Sequence, residues 1–143
     1  MSTKEVFNNS EGNLKSLQKE LHFKIGEQYD LNEFNLRSLK STFENNLEYD
    51  VYEYIKDDFK TLFGVKLLNN IILQYNGEIL SKIIYELHVS DFENLIHNLP
   101  LTKKRNTEKF VLGKTFVLFC SQEFSISLYI GKNLKLIVNK ALG

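Results

Sequence analysis

From Lys109 to Lys140 the chain reads KFVLGKTFVLFCSQEFSISLYIGKNLKLIVNK, and its apolar positions recur at every second residue. Phe124, Ile126, Leu128 and Ile130 alternate with Ser125, Ser127 and Tyr129, the period of a half-buried strand. Gly131-Lys132-Asn133 supplies turn chemistry, because Gly and Asn tolerate positive φ, and Leu134, Leu136 and Val138 resume the alternation. Phe116 to Cys120 is apolar on both faces, the pattern of a central strand covered on both sides. Each Ile, Leu or Phe that such a meander buries contributes about 1.5–3 kcal/mol, so it supplies much of the core.

The pattern upstream changes to helical spacing. Leu14, Leu17 and Leu21 predict a first helix, with Ser10 or Asn13 as N-cap, that fades near Gly26. Asp30 with Glu33 reads as a capping box opening a second helix through Leu31, Phe34, Leu39, Phe43 and Leu47, with Asn45-Asn46 as a weak break. Asp50 with Glu53 repeats the signal, and Val51, Ile55, Phe59 and Leu62 form the stripe of a third helix, with Gly64 at its C′ position. The second and third helices read equally well as one bent helix. Residues 65–89 are ambiguous between hairpin and helices. Asn76-Gly77 and the surrounding β-branched residues favour the hairpin, since that dipeptide is costly inside a helix. Ser90 with Glu93 caps a short helix through Phe92, Leu95, Ile96 and Leu99, which Pro100 stops.

The predicted class is therefore α+β: N-terminal helices packed on a mainly antiparallel β-sheet that ends in a C-terminal meander. A chain of 143 residues suits one domain, 1–143, in which residues 1–9 form a loose arm. At 43% hydrophobic and 25% charged its composition is that of an ordinary globular protein. A single cysteine excludes an internal disulfide framework, and its apolar neighbours make Cys120 read as a small buried hydrophobe. No apolar run approaches the length of a membrane span, and the polar start MSTKEVFNNSEGN is unlike a signal peptide, so a cytoplasmic protein is expected.

Net charge is zero, but it is unevenly placed. Residues 1–98 carry 16 acids and 10 bases, and residues 99–143 carry 2 acids and 8 bases. An acidic face presented to a basic partner is one use of such polarity. The basic residues Lys103, Lys104, Arg105 and Lys109 read as a solubilising loop. A groove-reading helix is missing beside them, so no nucleic-acid partner is expected.

Motifs of catalysis and ligation do not appear. His22, His88 and His97 lack metal-ligand spacing, so no metal is expected. There is no GxSxG, no Walker loop and no GxGxxG, and no cofactor is expected. The most unusual composition is Glu44 to Asp58, ENNLEYDVYEYIKDD, with six acids against Lys56 and with Tyr49, Tyr52 and Tyr54 interleaved. On a helix, Tyr49, Asp50, Glu53 and Asp57 would face outward, and Tyr52 and Tyr54 would flank the buried stripe. Tyrosine offers rigid amphipathic contact area, and acids offer steering toward Lys or Arg. The expected partner-binding residues are Tyr49, Asp50, Glu53, Tyr54 and Asp57. That chemistry is similar to the acidic, tyrosine-bearing surface of immunity proteins against nuclease bacteriocins, without their Tyr-Tyr-Pro signature. The expected function is a small inhibitor that binds a basic protein, most concretely an immunity protein against a toxin or nuclease. The alternatives are a small enzyme whose site is hidden in the sequence, or a viral or effector protein that binds a host partner.

Overall fold

A computed structural model describes residues 11–100 and 110–141, with side chains from residue 15 onward. The first helix is α1, Glu11–Leu21. It ends at His22, whose φ of 71° places the left-handed residue four positions before Gly26. Asn13 lies inside this helix, and Ser10, the arm and the basic loop at 101–108 lie outside the described residues.

The two helices expected between Asp30 and Leu62 do not form. Short 3-10 turns at Tyr29–Leu31 and Glu33–Asn35 lead into β1 (Leu36–Ser38), β2 (Thr42–Glu44) and β3 (Leu47–Tyr54). The expected apolar stripe is largely in solvent: Phe34 is 91% exposed and Phe43 71%. Two competing signals decide the outcome. Asn45 and Asn46 both adopt positive φ, 52° and 67°, which closes β2 onto β3 through a two-residue turn of the type that suits strand twist. Tyr52 and Tyr54 then lie on one face of β3, where Tyr54 is buried, and β-branched and aromatic residues favour that pleated setting. Gly64 does adopt positive φ, but as part of the Phe63-Gly64 turn joining β4 (Thr61–Leu62) to β5 (Val65–Lys66).

Downstream the sequence pattern holds. β6 (Ile72–Asn76) and β7 (Ile79–Leu87) form the expected hairpin, with Asn76 paired to Ile79 across Gly77-Glu78. α2, Phe92–Asn98, is present and ends before Pro100. Its capping box is not formed; a 3-10 turn at Val89–Asp91 starts it instead. β8 (Thr115–Cys120), β9 (Phe124–Ile130) and β10 (Leu134–Lys140) complete the meander. At the β9–β10 turn, a Cβ on Gly131 would lie 2.6 Å from the Tyr129 ring, so glycine there makes room for the ring rather than supplying positive φ.

One antiparallel sheet dominates, with strands in the order β1-β3-β6-β7-β10-β9-β8 and β2 added to β3. The fold is α+β only in this loose sense: the sheet is the body, and the helices are short covers. Among the described residues β8 is an edge strand rather than a central one, and Val117 is 47% exposed. The sheet buries one face. Leu73, Tyr75, Ile83, Tyr85, Leu128 and Leu136 join Leu17 and Leu21 of α1 and Phe92, Leu95 and Leu99 of α2 in a continuous core. The β4–β5 hairpin wedges between the helices: Phe63 donates its amide to Glu20 Oε1 at 3.2 Å, and its carbonyl accepts from Asn98 Nδ2 at 2.9 Å. Among the described residues no helix is long and apolar enough to cross a membrane.

Candidate docking surfaces on the open sheet face

Strand register organises the other face into rungs that run across the strands. The central rung is Arg37, Glu53, Ile72, Ile84, Ile137, Ser127 and Val117, each opposite the next. One pleat along lies Val51, Gln74, Lys82, Asn139, Ser125 and Cys120. One pleat the other way lies Glu86, Lys135, Tyr129 and Thr115. An isoleucine strip is thus flanked by two polar rungs, as expected of an antiparallel sheet with one face toward water.

Each polar rung floors a depression. The larger, about 1290 Å³, is lined by Asn45, Leu47 and Tyr49 from one edge of the sheet and by Cys120, Ser121 and Gln122 from the other, so the sheet curves around it. On its floor Lys82 Nζ donates to both Glu44 oxygens, at 3.1 and 3.0 Å, and Gln74 Nε2 donates to Glu44 Oε2 at 3.3 Å. Burial works to raise the Glu44 carboxyl, but the bonds from Lys82 and Gln74 outweigh it and hold the carboxyl below its ordinary value. Cys120 is half-buried here rather than in the core. The smaller depression, about 780 Å³, contains Glu53, Glu86 and Lys135 beside Ile72 and Ile84. Glu86 accepts from Asn69 Nδ2 at 2.5 Å and Asn133 Nδ2 at 3.0 Å, and the Asn133 bond leads in lowering its pKa.

The five expected docking residues are dispersed by the strand. Tyr49 and Glu53 point to the open face, and Asp50 and Tyr54 point to the opposite one. Glu53 is committed to the Arg37 guanidinium, with Arg37 Nε 2.6 Å away, and to Asn70; these bonds lower its pKa. Tyr54 is a core residue whose hydroxyl donates to Asp58 Oδ2 at 3.1 Å; burial leads in pushing it up to about 12. Asp57 lies in the loop after β3, exposed, 3.4 Å from Lys60.

What the strand assembles instead is an arm. Residues 42–49 of the β2–β3 hairpin extend past the pairing with β6, which starts at Asp50. On one side of the arm Phe43 stands directly opposite Glu48, with Asp50 next along the same face, and all three are exposed. Leu47 on the other side is 48% exposed. The sequence signal that finds this arm is Asn45-Asn46, read as a turn with positive φ at both residues.

Among the described residues no cluster of three His, Cys, Asp or Glu could hold a metal ion. No protein-family model matches the chain, and no curated protein or solved structure matches it either.

Proposed function

We propose that this protein is a small binding domain that inhibits a basic protein partner, most concretely an immunity protein that neutralises a cognate toxin or nuclease. The observation that carries the reading is the arm: solvent-exposed Phe43 opposite Glu48, with Asp50 beside them. Around it, residues 30–58 hold eight carboxylates against three bases, together with the exposed Leu31, Phe34, Leu39, Leu47 and Ile55. Exposed apolar side chains set among acids are what a basic partner with apolar anchors recognises. On this reading Asp50 and Asp57 meet the partner, Tyr49 lies on the arm's other side at the larger depression, and Glu53 and Tyr54 hold the arm in place.

The test is co-purification from the native host, followed by titration of the partner at two ionic strengths. The expected partner is basic, and its association rate falls steeply with salt. Phe43→Ala is expected to cost about 2 kcal/mol of affinity, as an anchor ring does. Glu48→Lys with Asp50→Lys weakens binding more than the two alanines, because like charges then oppose each other. Co-expression rescues cells from the partner's toxicity. A partner that is acidic, or that ignores all three residues, overturns the proposal.

A further inference from the structure

We propose that β8 is the contact through which two copies of this chain pair, antiparallel, about a two-fold axis at Val117. The strand has β9 on one side and no strand on its other side among the described residues. A strand edge offers a row of backbone donors and acceptors, and proteins commonly blunt such edges with charges, proline or very short strands. The opposite edge of this sheet is blunted in that way. It is split into two three-residue strands, β1 and β2, and carries Arg37, Lys40 and Glu44. β8 has six residues, Thr-Phe-Val-Leu-Phe-Cys, without charge or proline. Val117 is 47% exposed on it, Tyr129 is exposed beside it, and Leu112 is 70% exposed on the approach to it.

The bulge in β8 makes the edge self-complementary. Register against β9 shifts between Val117 and Phe119, and Leu118, 1% exposed, turns into the core. As a result Phe116 and Phe119 pair with the core-facing Leu128 and Ile126, while Val117 and Cys120 pair with the open-face Ser127 and Ser125. Antiparallel pairing about Val117 then sets Phe116 against Phe119 of the second copy on the core face. It sets Val117 against Val117 and Thr115 against Cys120 on the open face. Charge favours the same direction. In a parallel pair Lys114 would meet Lys114, whereas in the antiparallel register it falls opposite the uncharged Ser121. A patch that matches itself about its own midpoint is what a two-fold contact requires, which is why the occupant is a second copy. The arm lies at the other edge of the sheet and stays free in such a pair.

Sedimentation velocity across protein concentration tests this on the full chain, comparing wild type with Val117→Lys. The expected result is a reversible dimer whose dissociation constant rises at least about tenfold in the variant, a change of about 1.4 kcal/mol. A second variant, Val117→Cys with Cys120→Ser, reads the register. Directly opposed Cβ atoms lie about 4.5–5.5 Å apart across an antiparallel pair, within the span of a short bis-maleimide, which gives a covalent dimer. A wild type that stays monomeric at its highest soluble concentration overturns the proposal. So does a dimer that Val117→Lys leaves intact, or a cysteine variant that does not crosslink. If Val117→Lys fails to fold by circular dichroism, wild-type sedimentation and the crosslink decide.

Discussion

Tyr85 donates its hydroxyl to the Leu21 carbonyl 2.5 Å away, tying the centre of the sheet to the last turn of α1. A helix leaves its last carbonyls without partners, and this one is enclosed, so the tyrosine satisfies a group that water does not reach. Burial raises the Tyr85 hydroxyl well above its ordinary value, which keeps it a donor at any physiological pH.

Tyr75, on the neighbouring strand β6, is the counter-case. Its ring packs against Tyr29 and Tyr52 at centroid distances of 5.5 and 5.7 Å, but its enclosed hydroxyl makes no well-formed hydrogen bond among the described residues, with the Asn32 side chain the polar group beside it. Removing a satisfied bond strands its partner, whereas removing an unsatisfied hydroxyl relieves a cost. Tyr85→Phe is therefore expected to destabilise by about 1–3 kcal/mol, and Tyr75→Phe to be neutral or stabilising. Urea melts of both variants check the pair. A larger loss in Tyr75→Phe would reverse the assignment.

The two faces of β9 predict opposite outcomes for one substitution. Ile126 is 1% exposed in the core, while Ser127 faces outward between Ile137 and Val117. Ile126→Asp buries an unpaired carboxylate at a cost of several kcal/mol, comparable with a domain's whole stability of about 5–15 kcal/mol. Ser127→Asp is expected to fold. Thermal melts separate them, and similar midpoints would contradict the register.

Cys120 faces the larger depression and is half-buried, so a thiol reagent is expected to label it in the folded protein. Labelling is slower than for a free peptide and becomes complete without denaturant. Cys120→Val is expected to fold. Labelling that waits for denaturant would place the thiol in the core, as its apolar neighbours in sequence imply.

Acid sensitivity follows from three carboxylates. Glu44, Glu53 and Glu86 lie below the ordinary value of 4.5, so the folded state binds their protons less readily than the unfolded chain. Their contribution is complete above the unfolded value and drains as pH falls through the lowered folded values. Glu27 has the opposite sign. Burial, against bonds from the Lys24 amide and Asn32, raises its pKa, so its contribution is largest below the unfolded value and is lost as pH rises past the raised one. Glu86→Gln is expected to flatten the fall of melting temperature below pH 4.5. An unchanged slope would show that Glu86 is not coupled to folding.

Alternation alone fixes the downstream half. In Phe124–Ile130 and Leu134–Val138 each residue's face is set by its parity, and one face is wholly apolar, so a slip of one position would expose the core. Gly77 likewise specifies its hairpin locally, one position later than the Asn-Gly signal implies, through a positive φ that few other residues adopt without strain. Upstream, the same local rules are ambiguous. Leu31, Phe34, Leu39, Phe43 and Leu47 fall at helical spacing, yet these apolar side chains have no core to meet and are left largely in solvent. The Asn45-Asn46 turn offers strands there, and tertiary packing decides for them, because Tyr52 and Tyr54 pack against Tyr29, Tyr75, Phe23 and Phe59 when β3 pairs with β6. Strand pairing on β3 divided the expected docking residues between two faces, and the β2–β3 hairpin brought Phe43 opposite Glu48. The order of the whole sheet set β8 at an edge among the described residues, for an apolar run reads alike whether its second side meets a neighbour or water. Hydrophobic pattern states what a segment can bury; which partner strand is available to bury it is a property of the whole sheet.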